Sequence, residues 1–148
     1  MSAFVHMELS TDDPNAAKNF YKQLFGWKLT DNPMPNGVYT TFDTRAGGPG
    51  GGITAKMNPG QPTAWLPYVG VKSVKKSMEK AKALGATPIV EYMQIPGYGV
   101  MGVFVDPTGA TFAVWEAEPR AARPAPKKKA AKKSARKPAK KTARKKKK

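Results

Sequence analysis

The chain has 148 residues, with 26 Lys and Arg against 10 Asp and Glu, one His and no Cys. The missing cysteine excludes a disulfide scaffold, a thiolate zinc site and a cysteine nucleophile, and no apolar run approaches the length that spans a bilayer. All 10 acids and 10 of the bases lie in residues 1–118, which sum to zero, whereas residues 119–148 hold 16 Lys and Arg and no acid.

In chain order, residues 4–10 (Phe-Val-His-Met-Glu-Leu-Ser) approximately alternate on a period of two and predict a strand. Asp13 before Pro14 is a helix start, because Asp accepts a free amide and Pro fits the first helical position. Ala16, Ala17, Phe20, Tyr21, Leu24 and Phe25 then recur on one helical face up to Gly26, a left-handed terminator. Three short strands are expected at 27–30, 38–43 and 52–57, with Pro33 and Pro35 breaking the ladder and Asn36-Gly37 turning into Val38. The glycine-rich stretch 46–52 is not followed by Lys-Ser/Thr or by a helix, so it is a loop rather than a phosphate cradle.

After the Pro/Gly joint 58–62 the order repeats. Residues 65–71 read as a strand, and Ser73 caps a helix with Val74, Met78, Ala81 and Leu84 on one face and Gly85 at its end. Strands are expected at 87–92, 99–105 and 110–116, the last two joined by the turn Asp106-Pro107-Thr108-Gly109. The expectation is an α+β domain over residues 1–118 made of two βαβββ modules whose sheets pair around a cleft, followed by a disordered basic tail, 119–148.

The run Phe20-Tyr21-Lys22-Gln23-Leu24-Phe25-Gly26-Trp27, the turn Asp106-Pro107-Thr108-Gly109 and the strand end Val114-Trp115-Glu116 resemble the vicinal oxygen chelate superfamily, which groups glyoxalases, bleomycin-resistance proteins and extradiol dioxygenases. The resemblance covers residues 2–118 and implies a glyoxalase-like fold and a homodimer. Catalytic members carry a divalent metal on His and Glu side chains of the opening and closing strands. The matching positions here are His6, Leu66 (give or take one residue), Ala113, and one of Gly52, Ile53 or Thr54, so one ligand in four is present. Strand alternation turns Glu116 to the opposite face from Ala113 and Trp115. No cofactor is therefore predicted, and a divalent metal requires an unusual ligand set.

The same alternation sends His6 and Glu8 into the cleft, with Tyr68 across from them and Met101 and Trp115 nearby. His6 and Glu8 are a satisfied polar pair in the cleft or at a dimer contact, a ligand-orienting, acid/base pair, or part of a metal site in another alignment, and they are the only catalytic candidates. Tyr68, Met101 and Trp115 are either core or the apolar walls of a site for a small organic ligand.

The tail contains an eight-residue near-repeat, 131–138 and 139–146, and resembles linker-histone tails in its Lys/Ala/Pro composition. Lys127, Lys128, Lys129, Lys132, Lys133, Arg136, Lys137, Lys140, Lys141, Arg144, Lys145, Lys146, Lys147 and Lys148 are the expected nucleic-acid contacts. Without aromatics the tail cannot stack on bases, so binding is expected to be non-specific. Three functions follow: a small-molecule-binding domain tethered to nucleic acid, a metal-dependent lyase, isomerase or dioxygenase, or a nucleoid-associated protein whose domain is a dimerising platform. With no secretory signal and no membrane partner, a cytoplasmic location is expected, at the nucleoid if the tail binds DNA.

Overall fold

A computed structural model describes residues 2–118. The expected disordered tail, 119–148, lies outside the described residues.

The first module is β1 (Phe4–Thr11), α1 (Pro14–Phe25), β2 (Lys28–Met34), β3 (Gly37–Asp43) and β4 (Gly51–Ala55). The second is β5 (Ala64–Gly70), α2 (Val74–Ala83), β6 (Thr87–Ile95), β7 (Gly99–Val105) and β8 (Thr111–Ala117). Both helix starts follow from their caps. The Asp13 carboxylate accepts from the Ala16 amide at 2.9 Å, and the Ser73 hydroxyl accepts from the Lys76 amide at 3.4 Å. Gly26 and Gly85 take positive φ just beyond the helix ends, where a side chain would be strained.

All eight strands form one sheet in the order β2-β3-β4-β1-β5-β8-β7-β6. Within each module the opening and closing strands pair in parallel, and the two opening strands, β1 and β5, pair antiparallel at the centre. The modules are thus joined edge to edge, which buries the strand edge that either alone would leave unpaired.

Both helices cover one face. Under α1 lie Leu9, Phe42 and Ile53, with Trp27 stacked on Phe42 at 4.2 Å between ring centroids. From α2, Val74 and Met78 pack down onto Val100 and Val114. A Cβ on Gly102 would stand 2.8 Å from Met78, so the glycine sets how closely α2 approaches β7. The α1 face predicted to be buried is only half used. Ala17 and Tyr21 pack on the core, while Phe20, Leu24 and Phe25 are 58%, 56% and 55% exposed, because the apolar stripe is wider than the strip of sheet beneath it.

Two strands run past their predicted ends. β2 continues through Pro33 to Met34, which is tolerated because β2 is an edge strand and Pro33 has no amide to leave unpaired. β6, at the other edge, reaches Ile95 through two irregularities of register. Among the described residues no helix is long and apolar enough to cross a membrane.

Candidate functional site

The site lies on the face away from the helices. In the central ladder His6 stands opposite Tyr68 and Glu8 opposite Leu66, while on the other side of β1 Glu8 is level with Gly52. His6 and Glu8 share this face because they are two residues apart on one strand.

A residue that strand alternation did not single out joins them. Tyr39 on β3 reaches across β4 to β1, where its hydroxyl donates to Glu8 Oε2 at 2.9 Å and lies 2.8 Å from His6 Nε2. Since the phenol proton is committed to Glu8, His6 Nε2–H is the donor in the second bond. The reach depends on Gly52, where any Cβ would run into the Tyr39 hydroxyl and ring. From β5, the Tyr68 hydroxyl donates to Glu8 Oε1 at 3.3 Å, and the Tyr68 ring meets the His6 ring edge-on at 5.4 Å. Both carboxylate oxygens of Glu8 are therefore held by phenols.

Burial controls the charge of the cluster. It lifts the Glu8 carboxyl above its ordinary value, against the opposing pull of the two phenols, and lowers His6 below its ordinary value. Burial, reinforced by the Glu8 charge, pushes both phenols far above their usual range. Near neutral pH the four side chains hold at most one charge, on Glu8. The arrangement can accept or lend a proton at Glu8, and a ligand oxygen takes a phenol proton only by displacing Glu8 from that phenol.

Beside this polar end lies an apolar floor supplied by the second module: Tyr68, Val103 and Ala113, with Leu66, Met101 and Trp115 packed against them. Of the five residues placed in the cleft by strand alternation, His6, Glu8 and Tyr68 come into direct contact, and Met101 and Trp115 sit opposite each other on β7 and β8 in the adjoining floor. A hollow of about 480 Å³ lined in part by Val5, Lys72 and Trp115 lies at the far end of β5 and does not reach the polar cluster.

The residues do not fit the divalent centre implied by the resemblance. Leu66 and Ala113 carry no donor, and the space above Gly52 is filled by the Tyr39 ring. Glu116 faces the other way, its Oε2 accepting the Val74 amide at 2.8 Å at the start of α2. Among the described residues no three His, Cys, Asp or Glu side chains converge as a metal-binding group.

A family model described as a glyoxalase-like domain matches residues 6–115. A Mycobacterium tuberculosis protein named "Putative glyoxylase CFP32" is 34% identical over 115 residues, covering 75% of this chain and 44% of that protein. The anthracycline biosynthesis protein DnrV of Streptomyces peucetius is 32% identical over 127 residues, covering 73% of this chain and 44% of that protein. The chain thus spans less than half the length of these curated relatives. Among solved structures, a hypothetical protein of Bacillus halodurans shares the fold with a TM-score of 0.65 at 13% identity, over 82% of this chain and 99% of that one.

Proposed function

The chain belongs to the glyoxalase-like domain family, and from that premise we propose that it is a small-molecule-binding domain working without the family's four-ligand metal centre and tethered to nucleic acid by residues 119–148. The observation that carries the first half is the Tyr39 hydroxyl bridging His6 and Glu8 above Gly52. A hydrogen-bonding end beside a floor of Leu66, Met101 and Trp115 suits a flat organic ligand with one or two oxygen substituents, and the relatives named for anthracycline biosynthesis make oxygenated aromatics the class to screen first.

The test is a thermal-shift screen of such compounds against the full chain, with and without chelator. The expected result is a ligand that binds equally well in chelator and loses about tenfold in affinity in Tyr39→Phe, the loss of one hydrogen bond at a buried carboxyl. One divalent ion held tightly per chain, with binding abolished by chelation, overturns this reading.

The tether rests on charge density. A segment with 16 positive charges releases counterions on a polyanion, and with ~8 phosphates met at once the log–log salt slope on duplex DNA is about −7. Deleting residues 119–148 is expected to abolish retention on a DNA column at low salt, and unchanged retention refutes the tether. Nucleoid association follows from it. A homodimer is also proposed, since α1 presents Phe20, Leu24 and Phe25 to solvent. Light scattering at micromolar concentration checks it, and a monomer mass rejects it.

A further inference from the structure

The neutrality of residues 1–118 conceals a dipole. Lys72, Lys75, Lys76, Lys80 and Lys82 fall on α2 or its approach with one acid, Glu79, among them, a local charge of +4. The other five bases and nine acids of residues 1–118 therefore sum to −4.

Packing does not account for these lysines. Lys72, Lys75, Lys76 and Lys80 are exposed, and of the five only Lys82 has an ion-pair partner among the described residues, Glu91 at 3.1 Å. Two of them, Lys75 and Lys76, occupy the first turn of α2, which contains no acid. Cations there oppose the helix dipole, and the single carboxylate at that end, Glu116, comes from β8. A local rule broken with no gain in packing points to a use outside the fold.

The position of the chain exit identifies the partner. Glu116 caps α2, and two residues later, about 7 Å along an extended strand, the described fold ends at Glu118. The described chain therefore ends near the start of α2, where Lys75 and Lys76 stand, and the sequence beyond it holds 16 cations.

We infer that the exposed face of α2, through Lys76 and Lys80 and with Lys72 on the approach to the helix, is a second contact for the phosphate backbone of a nucleic-acid duplex. It rests on the proposed tether for its partner and deepens that reading. Tail binding alone leaves the domain free to tumble. A second, fixed contact turns α2 toward the duplex, and since α2 covers the opposite face of the sheet from His6 and Glu8, the ligand face is left turned away.

The experiment measures affinity of the full chain for a labelled 20-bp duplex by anisotropy between 50 and 200 mM NaCl. Lys72→Gln/Lys76→Gln/Lys80→Gln is compared with Lys22→Gln/Lys28→Gln/Arg45→Gln, which removes the same charge elsewhere on the domain. The α2 variant is expected to flatten the log–log slope by about 2 to 3, roughly 0.9 for each phosphate no longer neutralised, while the control leaves it unchanged. The corresponding triple Lys→Arg variant keeps the parent slope, which excludes a folding defect as the cause.

Equal slopes for the two Gln variants overturn the α2 contact alone. A parent chain that ignores the duplex at 50 mM NaCl overturns the tether and this inference with it. Tighter binding to phosphatidylserine vesicles than to duplex at equal phosphate, abolished in the same α2 variant, overturns the choice of partner.

Discussion

The two modules share a backbone plan and differ in what they turn toward the ligand face. In the first, β1 carries His6 and Glu8, and the pair of positions on the closing hairpin is Tyr39 over Gly52. In the second, the equivalent opening-strand positions are Leu66 and Tyr68, and the hairpin offers Met101 and Ala113, diagonal to each other across the β7–β8 ladder. One half supplies His6, Glu8 and Tyr39, and the other an apolar floor from which only the Tyr68 hydroxyl reaches back to Glu8. The helices diverge in the same way, with α1 exposing aromatics and α2 lysines. The repeat therefore fixes where side chains stand, while chemistry is assigned to each half separately, by single residues that leave the helix-side packing alone.

The largest test of this division lies on the shared side. Ile53 under α1 is fully buried and Met78, on the inner side of α2, is 2% exposed. Truncating either to Ala is expected to cost about 2–5 kcal/mol, measured by urea unfolding, with similar effects in both halves. Leu24→Ala, on the exposed part of α1, should cost under about 1 kcal/mol. A large loss there would mean that a covered interface, not the monomer, sets the stability of the first module.

The next test exchanges the hairpin positions. Gly52→Ala forces Tyr39 off Glu8, and the carboxyl then keeps only Tyr68. The expected loss is about 1–3 kcal/mol, together with the ligand affinity. Ala113→Gly removes one buried methyl and should cost about 1–2 kcal/mol without disturbing His6 or Glu8. Equal effects on ligand binding would show that the polar cluster is not the binding end.

These positions also show what a sequence displays and what it hides. The order βαβββ, twice, was legible because each element carries its own punctuation: Asp13-Pro14, Gly26, Ser73, Gly85 and the Asp106 turn all act within a few residues of chain. His6 and Glu8 were legible by alternation, and so was the turning away of Glu116. Tyr39 was not, because its role depends on a register two strands away and on the absence of a side chain at Gly52. Taken alone, Gly52 marks only a position without a metal ligand. A glycine inside a closing strand was the available signal, since it marks a place where another group passes over the backbone. Pro33 misled for a related reason, as its effect depends on whether the strand is central or at an edge.

Glu116 offers a smaller test, on the helix side of the second module. Its carboxylate supplies the acidic partner that the first turn of α2 lacks. Glu116→Gln retains an acceptor for the Val74 amide, and Glu116→Ala does not. The expected losses are about 0.5 and about 1–2 kcal/mol, read from urea midpoints. If Ala and Gln behave alike, charge at the helix end matters and the hydrogen bond does not.

The smallest effect, and the one most specific to the first module, is in the pH dependence. Glu8 has its pKa raised in the fold above 4.5, so between 4.5 and that raised value the native state binds more protons than the unfolded chain, and stability falls as pH rises through the window. His6 has its pKa lowered below 6.5, so between that lowered value and 6.5 the unfolded chain binds more protons, and stability falls as the pH drops. The two slopes oppose each other in the mildly acidic range, and the parent is expected to be flatter there than either variant. Glu8→Gln leaves the His6 slope, with stability rising toward pH 6.5. His6→Gln leaves the Glu8 slope, with stability declining from pH 4.5 upward. Urea unfolding at half-unit steps from pH 4.5 to 7.5 separates them. Curves that change slope in the same direction in both variants would mean that the two groups do not titrate as an opposed pair, and the link through Tyr39 would lose its electrostatic meaning. The second module, with Leu66 and Tyr68 in the positions of His6 and Glu8, has no group there that titrates in this range, since burial pushes the Tyr68 phenol far above it.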